Sequence, residues 1–163
     1  MANEPASPET SIDVTARWVD GDGYIRLPEH ELRELAAVQT PDEIAAVLNS
    51  GEPYNSLYDP HTQVYLAAVP AEKVDGVITP FALSTGGCGG GNATSIRLSG
   101  GKGLSTCFSG TGTLGISLPN TYYISAGNQL TTWWGGARAE FVVAGASKTL
   151  TSNLNVDTVV RGS

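Results

Sequence analysis

Two histidines and two cysteines in 163 residues leave little from which to build a reaction centre. His30 falls on the polar face of a candidate helix and His61 in a loop, contexts typical of plain surface histidines. Cys88 and Cys107 are too few for a structural metal site, which takes about four ligands, and no histidine stands near them to complete a set. Ser84, Ser105 and Ser109 have no histidine in their half of the chain, so nucleophilic catalysis has no support. The glycine-rich runs at 88–92 and 100–103 lack the Gly-Lys-Ser/Thr ending of a phosphate loop and read as turns. No apolar stretch approaches the ~20 residues of a membrane-spanning helix, so no membrane span is expected. The polar opening MANEPASPETS cannot act as a signal peptide; it fits a chain whose signal has been removed or a cytosolic start. No catalytic set converges, and no enzyme is expected.

What the chain does have is unevenly distributed. Residues 1–80 carry 14 acidic and 4 basic side chains, a balance of −10, whereas residues 81–163 carry 2 and 5, a balance of +3. Glycine divides the same way, 4 before that point and 16 after it. Both changes fall near Pro80, which predicts a disordered tail at 1–11, an acidic α+β region at 12–76 and a Gly-rich β domain at 77–163. The opposite charges favour docking of the two halves, subject to screening beyond roughly 8 Å at physiological salt. The five basic residues of the second half are scattered and form no stripe along which to neutralise phosphates, so no nucleic-acid partner is expected.

In the acidic region, Ile12 to Val19 and Tyr24 to Leu27 alternate like strands on either side of Asp20-Gly21-Asp22-Gly23, a hairpin-turn signal. The same residues admit a second reading. Counted from Trp18, they put Asp20, Asp22 and Glu29 at positions 3, 5 and 12 of an EF-hand-like Ca²⁺ loop. Against it, Trp18 occupies the first ligand position, Pro28 interrupts the loop, and the preceding segment is β-branched. Pro28 to Val38 has helical spacing with Leu32, Leu35 and Ala36 or Val38 on one face. Thr40-Pro41-Asp42-Glu43 is a complete helix start, with Thr40 as cap and Glu43 closing a capping box. Residues 52–63 read as a loop, and Val64 to Val69 as a short strand or helical turn ended by Pro70.

After Pro80 the pattern is β throughout. Nine short candidate strands are separated by Gly, Asn and Ser turns: Val77–Leu83, Thr94–Leu98, Leu104–Phe108, Thr113–Leu118, Tyr122–Ser125, Leu130–Trp134, Glu140–Val143, Lys148–Thr151 and Val156–Val160. This spacing predicts a sandwich or small barrel. The two cysteines form either a disulfide, which suits an oxidising compartment and stabilises by roughly 3 kcal/mol, or a pair of buried thiols. Within Tyr122-Tyr123 and Trp133-Trp134, neighbouring side chains point to opposite faces of a strand. One of each pair is therefore free to be exposed near Arg138 and to meet a sugar, peptide or protein target.

Cys107-Phe108, the strand Leu114 to Leu118, Tyr122-Tyr123, the turn Ala126-Gly127-Asn128 and Trp133-Trp134 together resemble the small secreted β/γ-crystallin-like proteins of actinobacteria. The resemblance spans about residues 85–160. It implies a Greek-key β-sandwich with Cys88 paired to Cys107, no enzymatic activity, and roles as antimicrobial, toxin, inhibitor or Ca²⁺ module. The Ca²⁺ signature of that family is missing here, so no Ca²⁺ ligand carries over to the β half. The expectation is thus a mainly β, secreted, non-catalytic effector whose acidic region is a propeptide or mask, without a cofactor unless the EF-hand-like loop takes Ca²⁺. Alternatives are a protease inhibitor presenting Gly135 to Arg138, a glycan-binding domain, or a structural, phage-type surface protein.

Overall fold

The computed structural model describes residues 9–74 and 91–162. Cys88, Ser84 and the candidate strand Val77–Leu83 lie outside the described residues. In chain order the elements are β1 (Glu9–Ile12), β2 (Trp18–Val19), β3 (Ile25–Arg26), α1 (Glu29–Ala36), α2 (Pro41–Leu48), β4 (Tyr54–Asp59) and β5 (Val64–Pro70). After the undescribed stretch follow β6 (Ala93–Ser99), β7 (Lys102–Phe108), β8 (Gly112–Ser125), β9 (Thr131–Gly135), β10 (Arg138–Val142) and β11 (Ser147–Arg161). The protein is mainly β, and nine of these strands form one sheet in the order β1-β7-β6-β8-β11-β4-β5, with β9 also paired to β11 and β10 to β9. β2 and β3 make a separate hairpin, Trp18 opposite Arg26 and Val19 opposite Ile25, across the predicted Asp-Gly turn.

The sheet ignores the change of composition at Pro80. β1 pairs antiparallel with β7, and β4 pairs parallel with β11 through Thr149 opposite Leu57 and Leu150 opposite Tyr58. Residues 9–11 are therefore strand, not part of a disordered tail. β4, expected as a loop, is a buried strand. Its sequence YNSLYD hides this because Asn55 and Ser56 are polar yet buried. They are satisfied inside: Asn55 Nδ2 donates to the Ile25 carbonyl at 3.0 Å and Ser56 Oγ to the Ser147 carbonyl at 2.7 Å. Buried polar groups survive when each finds a partner.

The helices follow their local signals. Thr40 Oγ1 accepts from the Glu43 N–H at 3.2 Å while Glu43 Oε1 accepts from the Thr40 N–H at 2.9 Å, which closes the capping box ahead of Pro41. α1 buries Leu32 against Leu57 and Ala67, with Leu35 and Ala36 packed around them, and leaves Val38 76% exposed.

β8 and β11 are the longest strands, 14 and 15 residues, and each fuses two predicted short ones. They run side by side, and their register slips between Thr149 and Leu154 and twice more before Thr158. At the same level Pro119-Asn120 interrupts β8, Asn120 takes a φ of 59°, and its N–H donates to Asn155 Oδ1 at 3.0 Å. Irregularities of this kind bend strands and raise their twist. Phe108 on β7 meets Trp133 on β9 edge to face at 5.6 Å between ring centroids, although three strands separate β7 from β9 along the sheet. The sheet therefore curls over its own core, which also takes in Tyr54, Tyr58, Leu118, Ile124, Val142 and Leu150. The opposite face at Ile96 and Tyr123 is covered by Trp18, whose ring stands edge-on to Tyr123 at 5.3 Å.

Candidate functional site

The joint bend of β8 and β11 opens a groove of about 610 Å³. Ser117 and Pro119 of β8 form one side, and the β11 stretch Asn153 to Asp157 forms the other. The end wall is the β9–β10 turn with Gly135, Gly136 and Arg138. Along this part of β11 the side chains alternate: Leu154 and Val156 are buried, while Asn153, Asn155 and Asp157 are exposed. Period-two alternation thus presents two carboxamides and a carboxylate along the groove and turns Leu154 and Val156 the other way, into the core. The hairpin comes close because Gly135 has no side chain; a Cβ there would lie 2.6 Å from Leu154 Cδ1 and 2.7 Å from the Asn155 carbonyl. Gly136, at a φ of 64°, makes the tight turn.

Asp157 is fixed in place. Its Oδ2 accepts from the Gly136 N–H at 2.7 Å and its Oδ1 from Thr158 Oγ1 at 2.8 Å. Those two hydrogen bonds, the backbone one first, hold its carboxyl below the usual carboxylate range, so it is charged at neutral pH. Arg138 is half-buried and, among the described residues, makes no hydrogen bond or ion pair. By contrast Arg17 holds Glu31, Arg33 holds Glu29, Arg26 holds Asp20, and Arg161 holds Gly91, Gly110 and Asn128.

The other residues singled out in the sequence are dispersed. Tyr122, Tyr123 and Trp133 are buried; both tyrosines join one cluster with Trp18 and Ile96 instead of splitting between faces. Trp134 is 37% exposed on the arm leading into the groove's end wall. Phe141 and Val143 are exposed farther along the same hairpin. Cys107 is buried in β7; its proposed partner Cys88 lies outside the described residues.

The three carboxylates of the EF-hand-like reading do not converge. Asp20 Oδ1 caps the turn by accepting from the Asp22 and Tyr24 N–H groups at 2.9 and 3.0 Å, and its Oδ2 accepts from Arg26 Nε at 2.8 Å. Asp22 accepts from the Gly91 N–H, and Glu29 pairs with Arg33. Among the described residues no group of three or more His, Cys, Asp or Glu is placed to hold a metal ion. No helix among them is long and apolar enough to cross a membrane.

A second polar cluster is buried. Lys148 Nζ lies 3.3 Å from Glu140 Oε1 and over the rings of Tyr58 and Tyr65, at 4.2 and 5.3 Å from their centroids. Burial pushes the Lys148 ammonium below its ordinary pKa despite Glu140, and burial raises the Tyr65 hydroxyl. Lys148, Glu140 and Tyr58 are buried and Tyr65 partly so, and the cluster borders none of the groove.

The groove residues Asn153, Asn155 and Asp157 are hidden in the sequence because Ser152 to Asn155 reads as a turn. The pattern Asn-Leu-Asn-Val-Asp, alternating polar and apolar, was the available signal. No family model, curated protein or solved structure matches the chain.

Proposed function

We propose that this protein is a secreted, non-catalytic recognition module that binds its target in the groove between the β8–β11 bend and the β9–β10 turn. The single observation that carries this is that Arg138, Asn153, Asn155 and Asp157 line one open groove together with the apolar Pro119. Arg138, and Trp134 one residue before the wall, are the two binding candidates from the sequence that remain at the surface. A crystallin-like antimicrobial or toxin is one form such a module takes, with a cell-surface target. Secretion accords with a Cys88–Cys107 disulfide, whose presence intact mass under reducing and non-reducing conditions reports.

The acidic region is proposed as a permanent part of the module and not a removable propeptide. Cleaving it away strips β4 from β11 and takes Tyr54 and Tyr58 out of the main core. The test is a panel of immobilised glycans and extracellular proteases probed with the wild-type protein and with Asn155→Ala/Asp157→Ala. Saturable binding that the double substitution abolishes is expected. Binding indifferent to the groove, or none on either panel, overturns the proposal.

A further inference from the structure

We infer that the groove takes a carboxylate-bearing saccharide, with Arg138 as the residue that reads the acid; this rests on the recognition role proposed above and specifies its ligand. No nitrogen of the Arg138 guanidinium is both buried and unpaired, so its five donors stay open to solvent and to a ligand. Arg17, Arg26, Arg33 and Arg161 each hold a carboxylate, carbonyl or amide, whereas Arg138 has no such partner among the described residues. It sits in the half of the chain whose balance is +3 and lines the groove. A guanidinium fork matches a carboxylate through two parallel hydrogen bonds.

The neighbouring groups narrow the class. Asn153 and Asn155 offer both donors and acceptors, and Asp157, locked by Gly136 and Thr158, offers acceptors only. A lone sulfate or phosphate presents mostly acceptors and meets repulsion at Asp157, as a lone carboxylate does. A sugar hydroxyl donates to the Asp157 carboxylate and accepts from the amides. A volume of about 610 Å³ also exceeds what a lone anion fills and suits an oligosaccharide of a few units. A carboxylate for Arg138 and hydroxyls for Asp157, Asn153 and Asn155 coexist in uronic and sialic acids.

The experiment is a glycan array carrying uronic-acid, sialic-acid and neutral oligosaccharides, followed by calorimetric titration of the strongest acidic binder and its methyl ester. The expected result is preference for the free acid by about tenfold or more, weakening as salt rises. Arg138→Ala is expected to erase that preference while leaving the melting temperature unchanged, since Arg138 makes no hydrogen bond or ion pair among the described residues. Arg138→Lys should retain part of it through charge without the fork. Equal binding of acid and ester, or a preference that survives Arg138→Ala, overturns the inference and leaves the recognition module standing. Absence of any saccharide binding overturns it too. The protease panel and the Asn155→Ala/Asp157→Ala variant then decide separately whether the groove binds another target.

Discussion

Arg26, in the acidic front of the chain, and Lys148, in its glycine-rich back, are both buried cations, and they are held by different means. Arg26 donates through Nε to Asp20 at 2.8 Å and reaches Tyr54, Asn55, Ser147 and Gly145 with longer contacts of 3.3–3.4 Å. Two of those partners, Gly145 and Ser147, belong to the back half. Lys148 has one carboxylate at 3.3 Å and two ring faces. A planar fork with five donors distributes its charge over carbonyls from several strands, whereas a compact ammonium in the same situation leans on a single anion and π-clouds. Both arrangements tie the two halves together, since Tyr58 and Tyr65 belong to the front. The second leaves a cation whose charge is disfavoured where it sits.

The largest effect expected from this contrast is at Asp20. Asp20→Ala leaves a fully buried guanidinium without its counter-charge and should cost about 3–5 kcal/mol in urea unfolding. Glu140→Ala should cost less, about 2–3 kcal/mol, because Lys148 can shed its proton. Equal losses break the comparison. Replacing whole pairs sharpens it. Glu140→Leu with Lys148→Met should be neutral or stabilising by about 1–4 kcal/mol. Asp20→Leu with Arg26→Met should destabilise by about 1–3 kcal/mol, because Asn55 and the Gly145 carbonyl lose a donor.

The legible parts of this molecule are those whose cause is local. The α2 start, the Asp-Gly hairpin and strands β6, β7, β9 and β10 follow from residues a few positions apart. β4 was hidden because Asn55 and Ser56 look like turn residues until Ile25 and Ser147, about 30 and 91 residues away along the chain, supply their partners. β8 and β11 look like four strands in the sequence because Pro119-Asn120 and Asn153 punctuate them. The punctuation bends continuous strands, and the groove lies at that bend. The acidic and basic halves differ in composition but not in sheet, since charge reports the surface and pairing is decided inside.

Alkaline titration separates the two cations again. A lysine whose folded pKa is lowered destabilises while the unfolded chain holds the proton, so stability rises with pH from that lowered value up to 10.5. Burial pushes the Tyr123 hydroxyl up to about 12 from 10.0, and Tyr54, Tyr58, Tyr65 and Tyr122 are also raised by burial. A tyrosine with a raised folded pKa stabilises below 10.0 and loses that contribution as pH climbs through the folded value. Stability should therefore edge upward and then fall between pH 10 and about 12. Tyrosinate absorbance and circular dichroism should change together. Lys148→Met should remove the rise and keep the fall.

The smallest effect tests whether the halves melt as one. Thr40→Ala removes the α2 cap and should cost about 1 kcal/mol. A single calorimetric transition shifted down as a whole is expected; a separate low-temperature melt of the helices denies that the front is part of one cooperative body.

β11 borders β8 along its length, β9 at one end and β4 at the other. A nascent chain that has left the ribosome only as far as Ala146 carries the flanks of a sheet and no centre. Its early strands must wait, edges bare, for contacts some 92 residues apart to form. Folding is thereby postponed until β11 has been made, and the interval before the central strand emerges is when this polypeptide most needs a chaperone.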